Sequence, residues 1–143
     1  MDDYEPFGRF TDLRTLTVFM DSYNMCPGPW YLLAPFLEHG IPSRAIRRLT
    51  IDVRVEFQTE MSAVVDWAAL ERVNDVLDDA KFDALEEVEF IVQLKEELGW
   101  DPAEEARRVL KRVEERLCGV VQAGKRVITR YCRVDEVRAP ACN

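Results

Sequence analysis

The segment Ile46–Phe57, IRRLTIDVRVEF, followed by Asp66–Asp79, DWAALERVNDVLDD, and Leu85–Leu94, LEEVEFIVQL, reads as strand, helix, strand. In the first, Leu49, Ile51, Val53, Val55 and Phe57 alternate with Thr50, Asp52, Arg54 and Glu56, the period-two signature of a strand with one buried face. In the third, Val88, Phe90, Val92 and Leu94 face in while Glu87, Glu89, Ile91 and Gln93 face out. Both strands open on one apolar phrase, Ile46-x-x-Leu49-x-Ile51 and Leu85-x-x-Val88-x-Phe90, and a third copy stands upstream at Leu13-x-x-Leu16-x-Val18. Recurrence of a β-α unit at this scale is the mark of a stacked repeat.

Outward from that core, Leu16, Val18 and Met20 make a first strand. The turn Asn24–Pro29 and a helix near Trp30–His39 follow, with Leu32, Leu33, Phe36 and Leu37 as its stripe, Pro35 as its irregularity and Gly40 as a left-handed terminator. Asp66 is positioned as the N-cap of the next helix, with Val65 and Leu70 as a hydrophobic staple and Trp67, Leu70, Val73 and Leu77 as its inward stripe. Asp78 and Asp79 at its C-terminal end oppose the macrodipole and predict fraying before Phe82. Asp101-Pro102-Ala103-Glu104 opens a long helix whose Ala106, Val109, Leu110, Val113, Leu117, Val120 and Val121 share a face, and Gly124 ends it. A last strand spans 125–134, and Val127-Ile128 leaves its inward parity open.

The expected order is β-α-β-α-β-α-β, with parallel strands and right-handed crossovers. Alternating strands leave one face of the sheet open, whereas a doubly wound sheet would need continuous apolar runs. The expectation is therefore an α/β fold: a short leucine-rich-repeat-like parallel sheet with helices on one face. Residues 1–12 read as a cap or tail, 13–134 as the repeat domain and 135–143 as a C-terminal tail. Aligning the three copies puts Thr15, Arg48 and Glu87 in one row of the open face. The rows beyond it are Thr17, Thr50, Glu89; Phe19, Asp52, Ile91; and Asp21, Arg54, Gln93. Opposite charges meet at Arg48 with Glu87 and at Asp21 with Arg54, across strands about 4.8 Å apart.

The 143 residues carry a formal net charge of −8, with the acids concentrated in the middle and a mildly basic end. That balance disfavours nucleic acid and anionic membrane and favours a basic or neutral protein surface as partner. Cys26, Cys118, Cys132 and Cys142 form no C-x-x-C pair and His39 is the sole histidine, so no zinc spacing exists and no metal or cofactor is expected. The N-terminal residues are acidic rather than signal-like, and no apolar run is long enough to cross a bilayer. The expectation is a reduced protein of the cytoplasm or nucleus.

Enzymatic chemistry finds little footing. Cys26 with His39 lacks an oxyanion-forming glycine loop, and Cys26-Pro-Gly-Pro lacks the amides and spacing of a phosphate cradle. The pairs Asp78-Asp79, Glu86-Glu87 and Glu96-Glu97 read as solvated surface, Arg44, Arg47 and Arg48 as a salt-bridged strand entry, and Trp30, Trp67 and Trp100 as core or staple residues. The function expected is protein recognition by the open face, through Thr17, Phe19, Asp52, Arg54, Glu89 and Ile91, because an apolar pair amid charges marks an interaction patch. Two alternatives stand beside it. One is a ligand-binding or catalytic βαβ domain with its site at Met20–Tyr23, Phe57–Met61 and Leu94–Gly99, the C-terminal ends of the strands. The other is a truncated repeat protein that self-associates as a homo-oligomer.

The phrases Leu13-x-x-Leu16-x-Val18, Ile46-x-x-Leu49-x-Ile51, Asp66-Trp67-x-x-Leu70 and Phe82-x-x-Leu85-x-x-Val88-x-Phe90 also carry a family likeness. Over about residues 13–131 the chain resembles the C-terminal repeat region of the leucine-rich-repeat-like F-box proteins of basidiomycete fungi. The resemblance implies a substrate-recognition fragment, since in that family an F-box docks on a ubiquitin-ligase adaptor and the repeats choose the substrate. Two features depart from the pattern: residues 1–12 do not read as an F-box, and Asp21, Arg54 and Gln93 occupy the place of an Asn or Cys ladder.

Overall fold

The computed structural model describes residues 13–22, 30–41, 44–55, 65–95, 103–134 and 141–142. Strands β1 (Thr15–Ser22), β2 (Arg48–Val55), β3 (Glu87–Lys95) and β4 (Arg126–Val134) pair in parallel in sequence order. With every crossover of one hand, sequential order puts every helix on the same side of the sheet. Between β1 and β2 runs a continuous helical stretch, α1 (residues 30–40). Helix α2 (Trp67–Leu77), helix α3 (Ala103–Arg116) and the short α4 (Cys118–Gln122) join the later strands.

The register aligns the apolar columns. Leu16, Leu49, Val88 and Val127 share one level, Val18, Ile51, Phe90 and Thr129 the next, and Met20, Val53, Val92 and Tyr131 the third. This settles the parity of β4: Val127, Thr129 and Tyr131 point to the helices, and Ile128 to the open face. Thr129 is polar in an apolar column because its hydroxyl donates to Glu114 Oε1 of α3 at 2.8 Å. Against the columns pack Leu33 and Leu37 of α1, Leu70, Val73 and Leu77 of α2, and Val109, Leu110 and Val113 of α3, all buried. Trp30 and Phe90 stack inside this core with ring centroids 6.3 Å apart.

Local expectations fare unevenly. Asp66 caps α2, its Oδ1 accepting from Ala69 N at 3.1 Å, and the staple partners Val65 and Leu70 are both buried. Trp67 is only partly buried and lies beneath the Arg112 guanidinium, 4.2 Å from the ring centroid, tying α2 to α3. Leu32 is exposed rather than part of the α1 stripe. Around Pro35 the helix changes pitch, from a 3-10 turn (Trp30–Leu32) through an α turn (Leu33–Pro35) to a π turn (Phe36–Gly40), since proline offers no N–H to the preceding turn. Gly40 is not a left-handed terminator. It ends the π turn, and a Cβ there would stand 2.7 Å from the Phe36 ring.

Asp79 does not mark fraying. It caps the 3-10 turn Ala80–Phe82 by accepting from Lys81 N at 3.0 Å. The apolar face of α3 stops short of Val121, which is exposed, because the chain breaks helical geometry at Leu117 (φ −97°, ψ 27°) and starts α4 in a new phase. Asn74 of α2 holds that break, its Oδ1 accepting from Gly119 N at 3.1 Å and Val120 N at 3.3 Å. The C-terminal segment includes a strand absent from the sequence expectation: β5 (Ala141–Cys142) pairs antiparallel with β4, with Cys142 opposite Cys132. Cys132 is disulfide-bonded, contrary to an all-reduced chain, while Cys118 is free and exposed.

Two lysines tie successive units together. Lys81 Nζ donates to the carbonyls of Leu37 and Glu38 at 2.9 and 3.0 Å, at the end of α1. Lys125 Nζ donates to those of Phe82 and Leu85 at 2.9 and 3.0 Å, in the approach to β3. Burial, and then the Arg44 guanidinium, hold the Lys81 ammonium below its ordinary value of 10.5 against the opposite pull of Asp79 and Glu38.

Two measurements check these constraints. Gly124 has φ +84°, and nothing lies within 4 Å of the place a Cβ would take there, so Gly124→Ala should cost about 1–2 kcal/mol in urea unfolding through backbone strain alone. For Lys81, the unfolded chain binds more protons between the lowered folded value and 10.5, so stability rises with pH in that window. The unfolding free energy of wild type minus that of Lys81→Arg, whose guanidinium stays charged, should therefore increase as pH approaches 10.5.

Candidate functional site

The outward residues of the four long strands form a surface that no described helix covers. Its rows run across the strands as Thr15, Arg48, Glu87, Arg126; Thr17, Thr50, Glu89, Ile128; Phe19, Asp52, Ile91, Arg130; and, on the central strands, Arg54 beside Gln93. The rows expected from the aligned repeats are reproduced residue for residue in β1, β2 and β3. The expected Arg48–Glu87 pair forms at 2.8 Å. The Asp21 side chain lies outside the described residues, so its expected pairing with Arg54 does too.

The structure brings Thr17, Phe19, Asp52, Arg54, Glu89 and Ile91 onto this one face, at different depths. Thr17 and Arg54 are exposed, Phe19 is 57% exposed, and Glu89 and Ile91 are half-buried. Asp52 lies deepest, 5% exposed in the floor, its Oδ2 accepting from Gln93 Nε2 at 2.6 Å. The Arg54 guanidinium sits 5.1 Å from the Phe19 ring centroid, in cation–π range. This contact crosses from β2 to β1 and holds Phe19 on the surface.

Charge is layered on the face. Glu87 is buried between two arginines, Arg48 Nε at 2.8 Å from Oε2 and Arg126 Nη2 at 2.6 Å from Oε1. Glu89 Oε2 meets Arg130 Nε diagonally at 3.0 Å. Sequence reasoning missed Arg126, Ile128 and Arg130 because it left β4 without a parity. The deciding signal was electrostatic: turning Val127 inward sets Arg126 beside Glu87 and Arg130 one step from Glu89, whereas the other choice turns both arginines into the core.

Elsewhere the chemistry is sparse. His39 is exposed at the end of α1, 3.7 Å from Glu38, and the expected comparison with Cys26 falls on a residue outside the described ones. A cleft of about 280 Å³ on the helix side is lined by Glu38, Asp75, Val76, Asp79, Lys81 and Phe82, and the lysine in it is held by two backbone carbonyls. The alternative site at the strand C-terminal ends falls largely on segments outside the described residues. Among the described residues there is no group of three His, Cys, Asp or Glu able to hold a metal ion, and no helix is long and apolar enough to cross a membrane. The chain matches no protein-family model, no curated protein and no solved structure.

The shared acid makes a specific prediction about Glu87. Either Arg48→Ala or Arg126→Ala leaves the carboxylate one guanidinium, so each should cost under about 1 kcal/mol. Together they strand a buried charge and should cost about 2 kcal/mol or more, exceeding the sum of the singles in urea unfolding.

Proposed function

We propose that the protein is a non-catalytic recognition module of leucine-rich-repeat-like type, and that the open face of its sheet binds a protein partner. The observation carrying this is Phe19, a large aromatic side chain 57% exposed and braced by Arg54 on a face built mostly of charged and polar side chains. An aromatic braced by an arginine has the composition of an interface hot spot, where a rigid apolar anchor gains most from desolvation and a guanidinium supplies directional hydrogen bonds. Ile91 and Ile128 extend the apolar patch across β3 and β4, both partly buried in the same surface.

The framework beneath supports the same role. A sheet stapled at each unit by Lys81 and Lys125 presents its outward side chains at fixed spacing, so little ordering cost remains for binding. The repeat phrases resembling the C-terminal region of F-box proteins fit a fragment that selects a substrate for modification by other subunits.

The test is capture of partners by immobilised protein, comparing wild type with Phe19→Asp/Ile91→Asp and with a helix-side control, Glu104→Lys. Proteins retained by wild type and the control but lost from the double variant, which should keep its circular dichroism and melting midpoint, support the proposal. Equal capture by all three removes the open face from consideration.

A further inference from the structure

The net charge of −8 points to a basic or neutral partner, but the face that would meet the partner is organised in the opposite sense. Its described acids form a floor: the Glu87 side chain is 7% exposed and that of Glu89 16%, and Asp52 is buried beside Gln93. Its arginines form the layer above: the side chains of Arg48, Arg126 and Arg130 are 57%, 71% and 51% exposed, and Arg54 lies over Phe19. A molecule arriving at this surface therefore meets guanidiniums first.

Each guanidinium carries five N–H donors in a fixed fork. The ion pairs with Glu87 and Glu89 are made through Nε of Arg48, Nη2 of Arg126 and Nε of Arg130, leaving each fork with further donors for groups from outside. Carboxylates satisfy such forks in bidentate geometry. The floor acids also hold the arginines upright and partly neutralise their charge, so what the layer offers is directional donors more than a strong cationic field. That favours a carboxylate-bearing protein segment over a polyanionic backbone, whose affinity rests on unneutralised charge.

Resting on the recognition surface proposed above, we propose that the face takes an acidic, extended protein segment that carries an apolar side chain for the Ile91 and Ile128 patch. Arg126 and Arg130 are on one strand, four residues and thus about 13 Å apart. An extended segment repeats at nearly the same rise, so acids at i and i+4 on one of its faces fall opposite the two arginines, with an apolar residue between them at i+2 over Ile128, diagonally beside Ile91.

The test uses the full chain and a fluorescent peptide of alternating character, Ser-Glu-Ser-Leu-Ser-Glu-Ser-Leu-Ser-Glu, with its Glu→Gln counterpart and a ten-nucleotide single-stranded DNA. The protein variant is Arg126→Gln, which leaves Glu87 paired with Arg48 and Phe19 braced by Arg54, and Arg126→Lys keeps the charge while removing the fork. Binding of the acidic peptide, loss of at least tenfold in affinity for the Gln variant and the Gln peptide, and a clear loss for the Lys variant support the proposal. Tighter binding of the oligonucleotide than of the acidic peptide overturns it in favour of a nucleic-acid face. No binding of the acidic peptide, with Phe19- and Ile91-dependent capture of proteins intact, overturns the acidic partner while sparing the recognition surface. Absence of both overturns the two together.

Discussion

Each strand of the sheet begins at the level of its neighbour because one carbonyl, just ahead of the strand, receives the next strand's first amides. Arg14 O accepts from Arg47 N and Arg48 N, Arg47 O from Glu86 N and Glu87 N, and Glu86 O from Arg126 N. A slip of one residue at any of these points would turn a whole column of apolar side chains to the open face and a whole row of charges into the core. The core columns, the side on which the helices lie and the rows of the open face all depend on this common starting line.

The same constraint explains how much was legible in the sequence. Three strands and the rows they form follow from the residues alone because Leu16, Leu49 and Val88 hold equivalent places in a repeated phrase, and a parallel sheet with equal starting levels turns sequence alignment into spatial adjacency. The fourth strand has no such phrase. Val127 and Ile128 are equally apolar neighbours, and the two parities are distinguished by Glu114 reaching for Thr129 and by Glu87 and Glu89 meeting Arg126 and Arg130. Those are tertiary contacts, invisible to periodicity. Features decided by a few atoms were lost for a similar reason: Gly40 is set by the Phe36 ring, the α3–α4 break by Asn74, and Asp79 by the turn it caps.

On the candidate surface, identity was legible and depth was not. Alternation assigns Asp52 and Phe19 to the same side of the sheet, and both are there. Whether a side chain then stands above or below its neighbours depends on length and on partners. A short aspartate held by Gln93 sinks, and an arginine long enough to pair with a buried glutamate still reaches solvent. The result is a surface whose outermost chemistry differs in sign from the composition of the chain that builds it.

The lysine straps place a different demand on the fold. Lys81 and Lys125 each belong to one unit yet complete the hydrogen bonding of carbonyls in the unit before it. A unit that opens therefore exposes unsatisfied acceptors in its predecessor, and opening costs more in the middle of the stack than one unit's own contacts would set. In an array coupled only between nearest neighbours, such links lengthen the distance over which order is correlated. With four parallel strands in line, links of this kind couple each unit to the one before it across the sheet.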